Sequence, residues 1–429
     1  MQQKTNSNLF IDIFAGCGGL SLGLIRAGWK CAFAIEKNAD AFLTYKHNLL
    51  EGKYASSFNW PKWLDRTAHD IDELLENHRE RLQNLNGKID LIAGGPPCQG
   101  FSSAGRRQHD DPRNRLFESY LKVVDLLNPK AILIENVRGF TSDFSKKSSI
   151  KNYSVELVDR LSVDYEVYFQ LCNVSEFGVP QSRVRFFLIA IRKGTNSRNP
   201  FEFVNAALPK FLQKNNLRVP VSAKQALSSL ELSKGGFRPS CETNGFMEIC
   251  PTPPTTSYQR YLALGGSDIQ DLRLARHSDV VAKRFQTIID NSHKMGRLNT
   301  AIDGDLREQL GIKKKALRVL DPDRPAPTIT SMPDDLLHYS EPRALTVREN
   351  ARLQGFPDSF AFKGKYTTGG ERRKYEVPRF TQVANAVPPI VAEVFGIALM
   401  ELTDQSRQNA ETSNTSTSQS LMEIPELTA

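Results

Sequence analysis

The 429 residues exceed one ordinary domain and suit a large catalytic domain with a companion module, which excludes a disulfide-stapled miniprotein. Hydrophobic residues at 40% and charged residues at 24% are globular values, there is no run of 18 or more apolar residues, and Met1-Gln2-Gln3-Lys4 lacks signal character. A cytoplasmic protein without a membrane partner is expected, and its net charge of +8 favours an anionic partner.

The first half alternates apolar runs with helical patterns. Leu9 to Phe14 predicts a buried strand, Gly16 to Gly19 a turn, and Leu20, Leu22, Leu24 and Ile25 an amphipathic helix ended by Gly28. Cys31 to Ile35 predicts a second strand and Ala41-Phe42-Tyr45 the start of a second helix; further strands are expected at Ile89 to Ala93, Ala131 to Ile134, Tyr165 to Leu171 and Val184 to Ile191. This rhythm implies an α/β fold with a doubly wound, mostly parallel sheet, whose ligands bind beyond the carboxyl ends of the strands. The loops after Phe14, Ile35, Ala93 and Ile134 should therefore share one crevice.

From residue 192 to 320 the rhythm disappears, and the stretch is read as a smaller, irregular domain containing the basic run Lys313-Lys314-Lys315. Residues 1–191 and 321–403 form the catalytic domain in this division, and the Ser/Thr/Asn-rich residues 404–429 a disordered tail. The six cysteines include no C-x-x-C pair and no histidine cluster at zinc-ligand spacing, so reduced thiols and no metal are expected.

Gly16-x-Gly18, between a strand and a helix, lets backbone approach a ligand, and Glu36 at the end of the next strand is placed to accept from a ribose diol. A nicotinamide oxidoreductase uses the same logic, but Ser21 stands where its third glycine belongs. Gly94-Gly95-Pro96-Pro97-Cys98-Gln99-Gly100-Phe101-Ser102 holds a cysteine on a rigid turn beyond a strand, the address of a nucleophile rather than of an inert core thiol. Glu135 follows the run Ile132-Leu133-Ile134, where burial should raise its pKa. Arg183 and Arg185 lie on one face at period-two spacing.

In this order the motifs Asp12 to Gly19, Glu36, Asp70-Ile71, Pro96-Pro97-Cys98-Gln99, Glu135-Asn136-Val137, Gln181 to Arg185, Arg348 to Asp358 and Gln382 to Pro388 resemble the DNA (cytosine-5)-methyltransferases, across residues 9 to 191 and 321 to 399. Ala384 departs from the family's usual glycine before Asn385. The resemblance implies a Rossmann-like fold that uses S-adenosylmethionine, with residues 192–320 as the target-recognition domain for double-stranded DNA. It implies Cys98 as the nucleophile toward cytosine C6, Glu135 at N3, and Arg183 and Arg185 beside the base, Arg185 holding O2. For the cofactor it implies Phe14 near the adenine, Gly16 and Gly18 near the methionine part, Glu36 on the ribose, Asp70 and Ile71 on the adenine, and Pro96 and Asn385 in the same site.

The loop Phe101 to Arg115, with Arg106, Arg107, Arg113 and Arg115, is expected to close on phosphates, and Lys313 to Lys315 are candidates for phosphate contact. By analogy with stand-alone prokaryotic enzymes, a monomer paired with a cognate restriction endonuclease is expected. The rivals are an RNA cytosine-5 methyltransferase, a nicotinamide oxidoreductase and a catalytically silent homologue; intact Cys98 and Glu135 weigh against the last.

Overall fold

The computed structural model describes residues 8–96, 114–141, 153–195, 198–266, 268–369, 371–372 and 375–420. Its centre is a six-stranded sheet built from β1 (Leu9–Ile13), β2 (Lys30–Ile35), β3 (Leu91–Gly94), β4 (Ala131–Val137), β5 (Tyr165–Asn173) and, after the two-residue β6 (Gln181–Ser182), β7 (Val184–Arg192). The spatial order is β2-β1-β3-β4-β7-β5. The β2-β1, β1-β3 and β3-β4 pairs are parallel, whereas β7 runs antiparallel to both β4 and β5.

Both faces of the sheet are covered, which explains why its strands read as nearly continuous apolar runs. Side chains alternate across it: Phe10, Leu91, Leu133, Phe187 and Ile189 enter one core, and Ile11, Ile92, Ile132, Leu188 and Ala190 the other. The first core is closed by α1 (Gly19–Arg26) and by the helix Pro389–Ser420. Their backbones approach so closely that a Cβ at Gly23 would stand 2.4 Å from Ala392 Cβ and 2.5 Å from Pro389 O. The helical stretch Arg379–Asp404 is long and apolar enough to cross a membrane, but 78% of its 18-residue apolar window is buried inside the fold.

Two expected boundaries move. Glu135 does not follow the fourth strand but belongs to it, because β7 continues the ladder there and pairs Phe187 with Glu135 and Phe186 with Asn136. The last helix runs on to Ser420, through the segment read from composition as a disordered tail. Once a helix is anchored by a buried start, each further residue adds a hydrogen bond without a new nucleation cost.

The segment after β7 contains the helices Pro200–Lys214 and Asp279–Lys294 and a short hairpin pairing Phe237–Pro239 with Met247–Ile249. A separate small core gathers Phe285, Ile288, Ile289, Ile302, Leu317 and Val319. Arg352, on the helix Val347–Leu353, ties residues 226–229 to the returning chain by donating to Ala226 O and to Ser229 Oγ.

Candidate active site

A cavity of about 590 Å³ opens at the carboxyl ends of β1 to β4, where the chain leaves β1 toward β2 on one side and β3 on the other. One end is built by the β1 and β2 loops. Phe14 adopts φ +65° and Gly16 φ +56°, and the space beside Gly16 is open to 4 Å where a Cβ would project. Glu36 Oε2 accepts from Gly16 N–H at 2.9 Å and Oε1 from Asn38 N–H at 2.7 Å. Burial raises the Glu36 pKa in spite of these backbone donors.

Asp70 caps the helix α3 (Ile71–Asn77) by accepting from Asp72 N–H at 2.8 Å, and pairs with Lys37 Nζ at 2.5 Å. Burial pushes Asp70 upward, but the hydrogen bonds from Lys37 and Asp72 outweigh it and leave the carboxyl below its usual range. Phe14, Gly16, Glu36, Asp70 and Ile71 all line the cavity, with Lys37 and His69. Gly18 does not. It sits at φ +97° as the N-cap of α1, where a Cβ would collide with Leu49 and Tyr45.

At the other end stand Glu135, Arg183 and Arg185. Arg185 Nε lies 3.2 Å from Glu135 Oε1, close enough to pair although not aligned for a hydrogen bond. Burial raises the Glu135 pKa, and the nearby Arg185 and Arg183 only partly oppose it, which is the direction the strand context predicts. Burial and Arg185 lower Arg183 to about 9, against the pull of Glu135. Arg183 is held by donating Nη1 to Ala384 O at 2.8 Å, so the residue standing in place of glycine acts here through its backbone.

Gly95 and Pro96 pass beside this end. A side chain at Gly95 would stand 3.6 Å from Glu135 Oε2, and Asn136 Nδ2 donates to Pro96 O at 3.1 Å. Pro96 and Asn385 are on the cavity wall. Cys98, Gln99, Ser102, Arg106, Arg107 and Arg113 lie outside the described residues, and of Arg115 only the backbone, in the helix Asn114–Leu127, is described.

Sequence reasoning missed Asp12, Lys37, His69 and the segment Ile329–Ser331 as wall residues. A carboxylate in an otherwise apolar strand was a signal for Asp12. Its Oδ2 accepts from Ser21 Oγ at 2.6 Å, its buried Oδ1 has no partner, and burial raises it to about 7.

The family profile described as C-5 cytosine-specific DNA methylase matches residues 9–401. The chain belongs to this family. The methylase is 31% identical to the Type II methyltransferase M.DdeI of Desulfomicrobium norvegicum, over 89% of this chain and 86% of that one. It is 30% identical to the Type II methyltransferase M1.HphI of Haemophilus parahaemolyticus, over 92% and 87%. Its fold matches a prophage-encoded candidate DNA modification methyltransferase of E. coli with a TM-score of 0.67, 26% identity, and coverage of 93% and 100%. The methylase transfers a methyl group to C5 of cytosine in DNA, with S-adenosylmethionine as donor. The residues present fit that cofactor: the cavity's volume suits a nucleoside-sized ligand, its wall carries the carboxylates of Glu36, Asp70 and Asp12, the last with an unpartnered Oδ1, and open space lies beside Gly16.

Proposed function

We propose that the methylase binds duplex DNA as a monomer, turns one cytosine out of the stack into the end of the cavity walled by Glu135 and Arg185, and attacks it with Cys98. Unstacking costs a few kcal/mol, which DNA contacts must offset, and the basic chain supplies them. The Cys98 thiolate forms a bond to C6, and the displaced electron pair is held by protonation or hydrogen bonding of N3 from Glu135 while Arg185 donates to O2. C5 thereby becomes nucleophilic. S-adenosylmethionine, when bound, supplies an electrophilic methyl group. Loss of the C5 proton and breakage of the C6–S bond then return the thiolate.

Phe14, Ile71 and Asp70 would hold the adenine, Glu36 the ribose, and Gly16, Pro96 and Asn385 the remainder of the cofactor; Gly18 supports the turn. Residues 192–320 would read the DNA sequence. Protection of DNA beside a cognate restriction endonuclease is supported by the Type II methyltransferases among the relatives.

The observation that carries this proposal is the single cavity. It joins Glu36 and Asp70 to Glu135, Arg183 and Arg185, and its wall includes Pro96, two positions before Cys98. The test is an oligonucleotide with 5-fluorocytosine at the target, identified by sequencing methylated DNA from an expressing host. A cofactor-dependent, denaturant-resistant protein–DNA adduct is expected with the wild type and not with Cys98→Ser. No adduct where ordinary cytosine is methylated would overturn the covalent route.

A further inference from the structure

The run Lys313-Lys314-Lys315 has the composition of a phosphate contact, but its middle member is engaged within the protein. Lys314 Nζ lies 2.6 Å from Asp334 Oδ1 and 2.7 Å from Asp335 Oδ1. The Lys314 side chain is 26% exposed and that of Asp335 only 8%. Lys313 and Lys315, by contrast, are exposed.

Asp335 carries the contact inward. Its Oδ2 accepts the hydroxyl of Thr330, whose oxygen accepts from Met332 N–H at 3.2 Å. Ile329, Thr330 and Ser331 line the cavity that contains Glu135, Arg183 and Arg185. The preceding residues are fixed against β6, with Ala326 paired to Gln181 and Pro327 to Ser182. Thr328 Oγ1 donates to Ser182 O at 3.0 Å, and Ile329 N–H to Gln181 Oε1 at 3.1 Å. The segment therefore runs parallel to the chain leading into Arg183 and Arg185, and beyond Ile329 its polar ties pass to Asp335.

We propose that Lys314 is a positioning residue for methyl transfer: through Asp335 and Thr330 it holds the Ile329–Ser331 wall at the end of the cavity that receives the cytosine, rather than neutralising DNA phosphate. The proposal rests on the base-binding end assigned above. Without the ammonium group, the buried Asp335 carboxylate keeps the Thr330 hydroxyl but loses its counter-charge. It then turns toward water, and Thr330 moves with it.

Lys314→Met, which keeps the apolar stem, separates the possibilities. Single-turnover methylation at saturating DNA should fall about ten- to a hundredfold, the scale of misplacing a reacting group by about 1 Å. S-adenosylmethionine affinity should stay within about twofold. Asp335→Asn should slow the reaction similarly, the double variant should be no slower than either single one, and Lys314→Arg should restore most of the rate.

The slope of log affinity for DNA against log salt should not change. A slope shallower by about 0.9 would make Lys314 a phosphate contact and overturn the proposal. So would an unchanged rate, additive losses in the double variant, or a lowered melting temperature with rate and affinities intact. The wild-type rate, measured alongside, tests the underlying activity separately.

Discussion

Arg352→Met is expected to be among the most damaging substitutions far from the chemistry. Arg352 Nε and Nη2 reach Asp358 Oδ1 and Oδ2, both at 2.8 Å, and each side chain is 1% exposed. Nη1 also donates to Ala226 O at 3.1 Å and Ser229 Oγ at 2.7 Å. Methionine fills similar volume but leaves the Asp358 carboxylate buried without its counter-ion, a loss of about 3–5 kcal/mol. Replacing both partners, as Arg352→Met with Asp358→Leu, removes the orphaned charge and should regain about 2 kcal/mol or more, since coupled buried pairs are strongly non-additive. Urea unfolding, compared at a common m-value, measures both quantities. A single-variant loss below about 1 kcal/mol, or a double variant at the additive sum, would refute the view that the bidentate pair carries this junction.

Other consequences are as direct. Glu135→Gln should slow single-turnover methylation by about 10²- to 10⁴-fold with little change in DNA affinity, and abolish the loss of rate that follows deprotonation above the raised pKa; an unchanged rate would make the acid structural only. His338 is fully buried, and its Nδ1 accepts from Ser340 and Glu341 N–H, each at 3.2 Å. Burial, then Arg343, lowers its pKa from 6.5 to about 3, so its contribution to stability is complete above pH 6.5 and is lost as pH falls toward 3, by about 2 kcal/mol at pH 5. His338→Asn preserves an acceptor and should flatten that portion of the urea-stability curve; identical curves would exclude the assignment. Gly23→Ala gains about 1 kcal/mol of helix propensity but faces about 1–3 kcal/mol of overpacking, and contacts of 2.4 and 2.5 Å make the cost prevail. Its melting temperature should drop, and a rise would show that the last helix yields freely.

The strands of the sheet were legible because burial on both faces leaves uninterrupted apolar runs, as in Phe10 to Ile13 and Ile132 to Ile134. Glu36, Glu135, Arg183 and Arg185 were legible because polar groups at the ends of such strands stand out against them. Ile329 to Ser331 were not, since their place depends on the pairing of Ala326 with Gln181, a tertiary event without local periodicity. Lys314 shows the limit of charge counting: three consecutive lysines look alike in sequence, and the carboxylates of Asp334 and Asp335 single out one. Gly18 shows another, because a glycine in a ligand-binding pattern can serve the turn behind the cavity instead of its wall.

The seam at Gly23 orders the birth of the enzyme. The face of α1 bearing Leu20 and Leu24 is sealed by the helix that begins at Pro389, and the Ala384–Val387 wall immediately precedes that helix. While the ribosome still holds this stretch, the emerging polypeptide has an open greasy seam and a half-walled cavity. Covering the seam and walling the cavity are therefore one event: the same few turns that shield the nascent sheet from its neighbours also complete the pocket that makes it a catalyst.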